Sequence, residues 1–323
     1  MKRLFALLLV LALFAVACGE DDAPVEDAGP SDGIVDGDDT GDGDPGDGDT
    51  GDDGDGGDSA EPMAGNDSIE RVVSLSPTAT EILFAIGADD QVIAVDQFSN
   101  YPENAPFSDL DGFQVNVEAV AAYDPQVVVM QSNEASAALE ALGITVVVQD
   151  SPADFAGIYA QIEALGAATE NEAGAADLVS EMQSDIAALQ AEAPDASGLR
   201  YYHELGTDYY SLNSDAFVAQ VYGLFGLVSI GDEAAGEAFS GYLPLSEEFI
   251  LESDPDFIFL ADTIWAEQTA ETVAARAGWG DLTAVQTGAV VELNDDVASR
   301  WGPRVVEFAE AIAAVLAEVA VPA

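Results

Sequence analysis

Two stretches of this 323-residue chain repeat one another at a fixed distance. The first is Asn116-Val117-Glu118-Ala119-Val120, followed by Tyr123-Asp124-Pro125-Gln126 and the apolar run 127–130. It returns as Ser246-Glu247-Glu248-Phe249-Ile250, followed by Ser253-Asp254-Pro255-Asp256 and the apolar run 257–260. The offset is 130 residues, so Glu118 answers to Glu248 and Asp124-Pro125 to Asp254-Pro255. Residues 71–75 stand the same distance before 201–205, and both read as strands. A unit this long is a whole α/β lobe rather than a solenoid turn. Two such lobes leave a cleft between them and carry an acidic helix start in a matching place.

Within each copy, strands alternate with helices, which implies a parallel sheet covered on both faces. In the first copy the strands fall at 71–75, 92–95, 127–130 and 144–148, with helices after Ser76, at 116–123 and at 134–142. Thr78 and Glu81 have capping-box spacing at the first of these helices, which stops at Gly87. From Glu170 to Ala193 the pattern is helical, with Leu178, Met182, Ile186 and Leu189 on one face. The second copy reads as strands at 199–205, 257–260 and 289–293 and helices at 215–225, from Ser246, at 267–277 and at 303–319. The expected division is an N-terminal lobe over 68–168, a bridging helix over 169–194 and a C-terminal lobe over 195–323. A single helical bridge limits hinge motion between the lobes.

The chain starts Met1-Lys2-Arg3 and continues with 14 apolar residues, Leu4 to Ala17. A membrane-spanning helix needs about 20 such residues, so 1–17 reads as a signal peptide. Ala15-Val16-Ala17-Cys18-Gly19 resembles a bacterial lipobox, with Cys18 as the lipid-bearing residue. Cys18 is the only cysteine, so no internal disulfide or cysteine metal cluster can form. Residues 19–67 hold 19 acidic side chains and no basic ones among many glycines. Such a segment cannot bury enough apolar surface to offset its ordering entropy, and 18–67 is expected to be a disordered tether. Its Asp-x-Asp-x-Asp spacing offers oxygen ligands for calcium, yet the twelfth-position Glu of an EF-hand loop is missing.

From Ser68 onward the remaining 43 acidic residues face five arginines and no lysine, a formal charge of −38. That surface repels nucleic acid and anionic lipid. It also suits life in high salt. Enzyme signatures are missing: the chain has no Gly-x-Ser-x-Gly elbow and no P-loop. His203, the only histidine, sits in an apolar strand and reads as a core or cleft-edge residue, and a single histidine argues against a zinc or manganese site built from several histidines.

Several further residues resemble one known family. They are Arg71-Val72-Val73-Ser74-Leu75-Ser76-Pro77-Thr78-Ala79-Thr80-Glu81, Asn100-Tyr101-Pro102, the two Asp-Pro strands, and Asp296, Arg300 and Pro303-Arg304. Together they resemble the substrate-binding proteins of ABC importers for iron chelates and cobalamin, over nearly everything from residue 70 to 316. The resemblance implies two α/β lobes on a rigid helix, the class III periplasmic-binding-protein fold. It implies a metal chelate, cobalamin-type or a ferric siderophore, held as cargo between the lobes with no resident cofactor and no catalysis. It implies a permease with a cytoplasmic ATPase as partner, and a monomer anchored by lipid on the outer face of the cell membrane. Haem binding, or sensing and adhesion on the same fold without transport, are the alternative readings.

Residue by residue, the permease-docking glutamates of that family fall on Glu118 and Glu248, the pair the repeat selects by itself. Its ligand-lining positions fall on Phe98, Tyr210, Tyr242, Asp296 and Arg300, and one family tryptophan falls on Gly112. Trp265, in a loop after a strand, is a further ligand candidate, whereas Trp279 reads as a packing anchor. Arg300 and Arg304 carry two readings, pairing with an anionic ferric siderophore or internal salt bridging.

Overall fold

A computed structural model describes residues 68–319. Signal peptide, Cys18 and acidic tether all lie outside the described residues. The first lobe runs β1 (Val72–Ser74), α1 (Pro77–Ala85), β2 (Val92–Val95), α2 (Val117–Ala121), β3 (Val127–Met130), α3 (Ala135–Ala141), β4 (Thr145–Val148) and α4 (Phe155–Ala168). Its four strands are all parallel, in the order β2-β1-β3-β4. The central strand β3 is buried along its whole length, as a strand covered on both faces must be. Side-chain alternation divides its core: Val72, Val127 and Val129 belong to one apolar cluster, and Val73, Val128 and Met130 to another.

After α5 (Glu172–Glu192), the second lobe runs β5 (Arg200–Glu204), β6 (Tyr210–Leu212), α6 (Phe217–Gly223), β7 (Val228–Ser229), β8 (Tyr242–Pro244), α7 (Glu247–Ser253) and β9 (Phe257–Leu260). It closes with α8 (Ala270–Ala274), α9 (Thr283–Thr287), β10 (Val290–Glu292), α10 (Asp295–Ser299) and α11 (Val305–Glu318). A second parallel sheet has the order β10-β9-β5-β7, and β6 pairs with β8 in a separate antiparallel ribbon. The fold is therefore α/β with two similar parallel-sheet lobes, as the sequence implies.

Helix α5 is about 30 Å long at 1.5 Å per residue. Its buried stripe is Ala175, Val179, Met182 and Ile186, one residue round from the predicted face, with Leu178 and Leu189 half-buried beside it. It packs against α4 from the first lobe and α11 from the second. At its start, a Cβ on Gly174 would collide with the Ile86 backbone, so only glycine allows α5 to cross the end of α1 this closely. Among the described residues, no helix is long and apolar enough to cross a membrane.

The repeat is visible in three dimensions, with one correction. Through the sheet registers, Val72 aligns with Val127 and Tyr201 with Phe257. Val72 thus corresponds to Tyr201 and Arg71 to Arg200, an offset of 129, while the helix-strand segment keeps 130. The backbone N–H of Arg71 donates to the Gln126 side chain at 3.0 Å, and that of Arg200 to the Asp256 side chain at 2.8 Å. Each guanidinium also donates to a backbone carbonyl at the end of the following repeat helix, Arg71 to Asp124 and Arg200 to Ser253. Asp124 and Asp254 both adopt the left-handed conformation, at φ 52° and 44°, ahead of the prolines that precede β3 and β9. Aspartate tolerates that region better than most residues.

Candidate binding site

In a parallel sheet, the loops that follow the strands gather at one edge, where ligands of α/β proteins bind. Here the two carboxyl edges are held against each other. Glu81 on α1 and Phe98 and Asn100 after β2 come from the first lobe; Asp296 and Arg300, after β10, come from the second. Arg300 Nη1 donates to Glu81 at 2.7 Å, and its Nη2 donates to Asn100 and Asp296 at 2.8 Å each and to the Phe98 carbonyl at 3.4 Å. The Asn100 amide donates in turn to Asp296 at 2.8 Å. Arg304 stands 3.6 Å from Glu81, with its guanidinium 4.4 Å from the centre of the Tyr101 ring.

This network corrects the capping-box reading of Glu81. The α1 cap is Ser76, which accepts from the Ala79 N–H, with Pro77 in the first helical position. Glu81 points away from the helix start and is almost wholly buried. Burial raises its pKa, against the opposing pull of Arg300 and then Arg304. For both arginines the geometry carries the internal salt-bridge reading. Removing either side of such a buried pair leaves an uncompensated charge, at about 3–5 kcal/mol.

On the first lobe's edge, a buried chain of hydroxyls fixes the loops. Thr80 donates to Ser74 at 2.8 Å and lies 3.0 Å from Ser99, which donates to Asp96 at 2.6 Å. Phe98 then stands half-buried with its ring edge-on to Phe113, 5.2 Å between centroids. Phe113, which the sequence reading passed over, is 73% exposed. Its loop is tied by Asp111, which accepts from the Phe113 and Gln114 N–H groups at 2.8 and 2.9 Å. Gly112, where the family resemblance implies a tryptophan position, has no room for a side chain: a Cβ there would strike the Leu75 carbonyl and the Asp96 carboxylate. The exposed aromatic of this loop is its neighbour Phe113. Phe113, Gln114, Asn116, Asn133 and Glu134 line an open cavity of about 570 Å³ on this lobe.

On the second lobe's edge, Tyr210 and Tyr242 sit half-buried on the β6–β8 ribbon, where Tyr242 pairs with Leu212 and Tyr210 with Pro244. Trp265 is 62% exposed, and its ring lies over Gly206. Asp295 holds its loop by accepting from the N–H groups of Thr263, Ile264 and Trp265 at 2.8–3.0 Å. Phe239, also exposed, is joined to Tyr242 by a reciprocal pair of backbone hydrogen bonds. Below them the buried Glu204 accepts a bidentate pair of bonds from Arg276, both 2.6 Å. Neither oxygen of the neighbouring Asp262, buried after β9, meets a donor. Burial, then the Glu204 charge, pushes the Asp262 carboxyl up to about 7.

His203 proves to be a core residue, its Nδ1 2.7 Å from the Tyr222 hydroxyl and its pKa lowered by burial to about 3. Trp279 is fully buried under Arg276 and donates to Glu247, in keeping with a packing anchor. Among the described residues, no cluster of metal-ligating side chains occurs. Glu118 and Glu248 are the second residues of α2 and α7, in the first turn of each, and both are exposed. Each helix is capped alike, Asn116 accepting from the Ala119 N–H at 3.1 Å and Ser246 from the Phe249 N–H at 3.2 Å. The structure thus brings Asp296 and Arg300 together with Glu81, and leaves Glu118 and Glu248 as separate knobs, one per lobe.

Comparison with known proteins agrees with this architecture. An uncharacterized ABC transporter substrate-binding lipoprotein of Bacillus subtilis is 29% identical over 256 residues, covering 76% of this chain and 79% of that protein. A cobalamin-binding protein of Halobacterium salinarum is 33% identical over 266 residues, covering 76% of this chain and 71% of that protein. The solved structure of a periplasmic heme-binding protein of Vibrio cholerae superposes with a TM-score of 0.67 at 25% identity, covering 77% of this chain and 99% of that one. The family described as periplasmic binding protein matches residues 72–297. By that match and by the shared two-lobe fold, the chain belongs to the periplasmic binding protein family.

Proposed function

We propose that this chain is the extracytoplasmic, lipid-anchored binding component of an ABC importer, which captures a bulky metal chelate between its lobes and delivers it to a permease with a cytoplasmic ATPase. The observation that carries the reading is the matched pair Glu118 and Glu248, exposed at the same position of equivalent helices on the two lobes. Two carboxylates so placed suit a two-fold partner that must register both lobes at once. Exposed aromatic side chains at the strand ends support a large flat cargo, since rings bury area at little entropic cost. The anchor rests on Cys18 and on the lipoprotein among the relatives. The protein itself needs no catalytic step for this task.

The test is a titration of intrinsic tryptophan fluorescence with cyanocobalamin, haemin and several ferric siderophores, paired with uptake assays in cells lacking the gene. Saturable quenching by one chelate, and loss of its uptake in the deletion strain, is the expected result. Binding without any transport defect would instead favour a sensing role.

A further inference from the structure

Every arginine from Ser68 onward is engaged by a carboxylate, and no lysine follows Lys2. Arg71 pairs with Asp124 and Arg200 with Glu233, both at the amino ends of their strands, away from the edge that binds ligand. Three arginines lie near that edge. Arg276 gives both of its terminal nitrogens to Glu204, Arg300 is shared among Glu81, Asp296 and Asn100, and Arg304 lies between Glu81 and Glu307. Side-chain exposure of these three is 15%, 10% and 16%. Turning Arg276 toward a ligand would strand the buried Glu204 as a bare charge, and turning Arg300 would leave the buried Glu81 with only Arg304, 3.6 Å away.

We infer that the site selects a chelate whose rim carries neutral hydrogen-bonding groups, such as carboxamides, and rejects one whose rim carries carboxylates or other anionic groups. This deepens the chelate-binding reading and rests on it. A ligand anion moved from water to this edge would find no cation to replace its hydration. It would approach through the field of a domain of formal charge −38, and meet Glu134 at the open cavity. A carboxamide rim faces neither penalty. The open cavity beside Phe113 offers it the carboxamide of Gln114, which both donates and accepts, and the amide N–H donors of Asn116 and Asn133, whose oxygens accept from the Ala119 and Ala135 N–H groups.

The experiment compares Kd values of the full chain, by calorimetry, for two sets of chelates. The neutral set is cyanocobalamin and a neutral ferric hydroxamate; the anionic set is haemin, ferric citrate and the cyanocobalamin derivatives in which one rim amide is hydrolysed to a carboxylate. The tightest ligand should be neutral, and each single hydrolysis should weaken corrinoid binding by about tenfold, the effect of one unpaired charge at a partly open rim. Equal affinity for the hydrolysed corrinoids, or tighter binding of haemin or ferric citrate, overturns the inference and leaves the importer reading standing. Failure of every chelate to bind overturns that reading and this inference with it.

Discussion

The guanidinium of Arg300, on the second lobe, donates to the carboxylate of Glu81, on the first, across 2.7 Å. Each partner lies in the chain more than 200 residues from the other, and both are nearly sealed from solvent. With Asn100 and Asp296 completing the network, the pair acts as a clasp between lobes that also meet through α5, through the Phe155–Phe217 ring contact and through Trp301, which donates to Gln161.

Replacing Arg300 by Gln should therefore lower the free energy of unfolding by about 3 kcal/mol, the low end for a broken buried pair because Arg304 still faces Glu81. Urea denaturation measures it. A loss below about 0.5 kcal/mol, the scale of an exposed ion pair, would show that the clasp is not closed in solution.

Asp262 should make stability depend on pH. Its folded pKa of about 7 lies above the ordinary aspartate value of 3.8. Below both values it is neutral in either state and contributes no loss. As pH rises between them, the unfolded chain releases the proton first and stability falls. Asp262→Asn should match wild type near pH 4 and melt higher at pH 8, by about 2–4 °C if roughly 1 kcal/mol is recovered. Parallel melting curves for the two proteins from pH 4 to 8 would contradict the assignment.

Phe113→Ala and Tyr242→Ala should each weaken chelate binding by about 1 kcal/mol, roughly fivefold in Kd. Phe113 is exposed, so its truncation should leave Tm unchanged. Unaltered affinity would remove the residue concerned from the site.

The double variant Glu118→Ala with Glu248→Ala should keep wild-type ligand affinity and lose uptake. Exposed carboxylates contribute little energy singly, about 0–1 kcal/mol, but set orientation on a partner. Normal uptake by the double variant would refute the docking role.

Salt should stabilise this domain. At low ionic strength its excess carboxylates repel across the surface, and screening shortens that repulsion from about 30 Å at 0.01 M to about 3 Å at 1 M. Melting temperature should climb with KCl over that range; a flat or falling profile would speak against adaptation to salt.

Much of this fold was legible because its signals are local. Apolar runs such as Val127–Met130, the caps at Asn116 and Ser246, and the Asp-Pro punctuation each depend on a few neighbouring residues. Helix α4 was less visible, since Gly157 and Gly166 weaken its pattern, and the three-residue strands β6 and β8 are too short for periodicity to register. The site was legible only in part. Glu81 has the spacing of a cap, and nothing near it in the chain announces a partner 219 residues away. Phe113 stands in an Asp-Gly turn without periodic neighbours; the one available hint was an aromatic beside Gly112, where a side chain was expected.

The arginine braces under the two repeat helices carry a mechanical meaning. Arg71, just before β1, and Arg200, at the start of β5, bolt the ends of α2 and α7 to those strands, so each helix must ride with its own sheet. The span from Glu118 to Glu248 then behaves like the jaws of a caliper, widening or narrowing only when one sheet tilts against the other. Any tilt at the cargo edge would be legible, without an intervening messenger, to whatever grips both jaws.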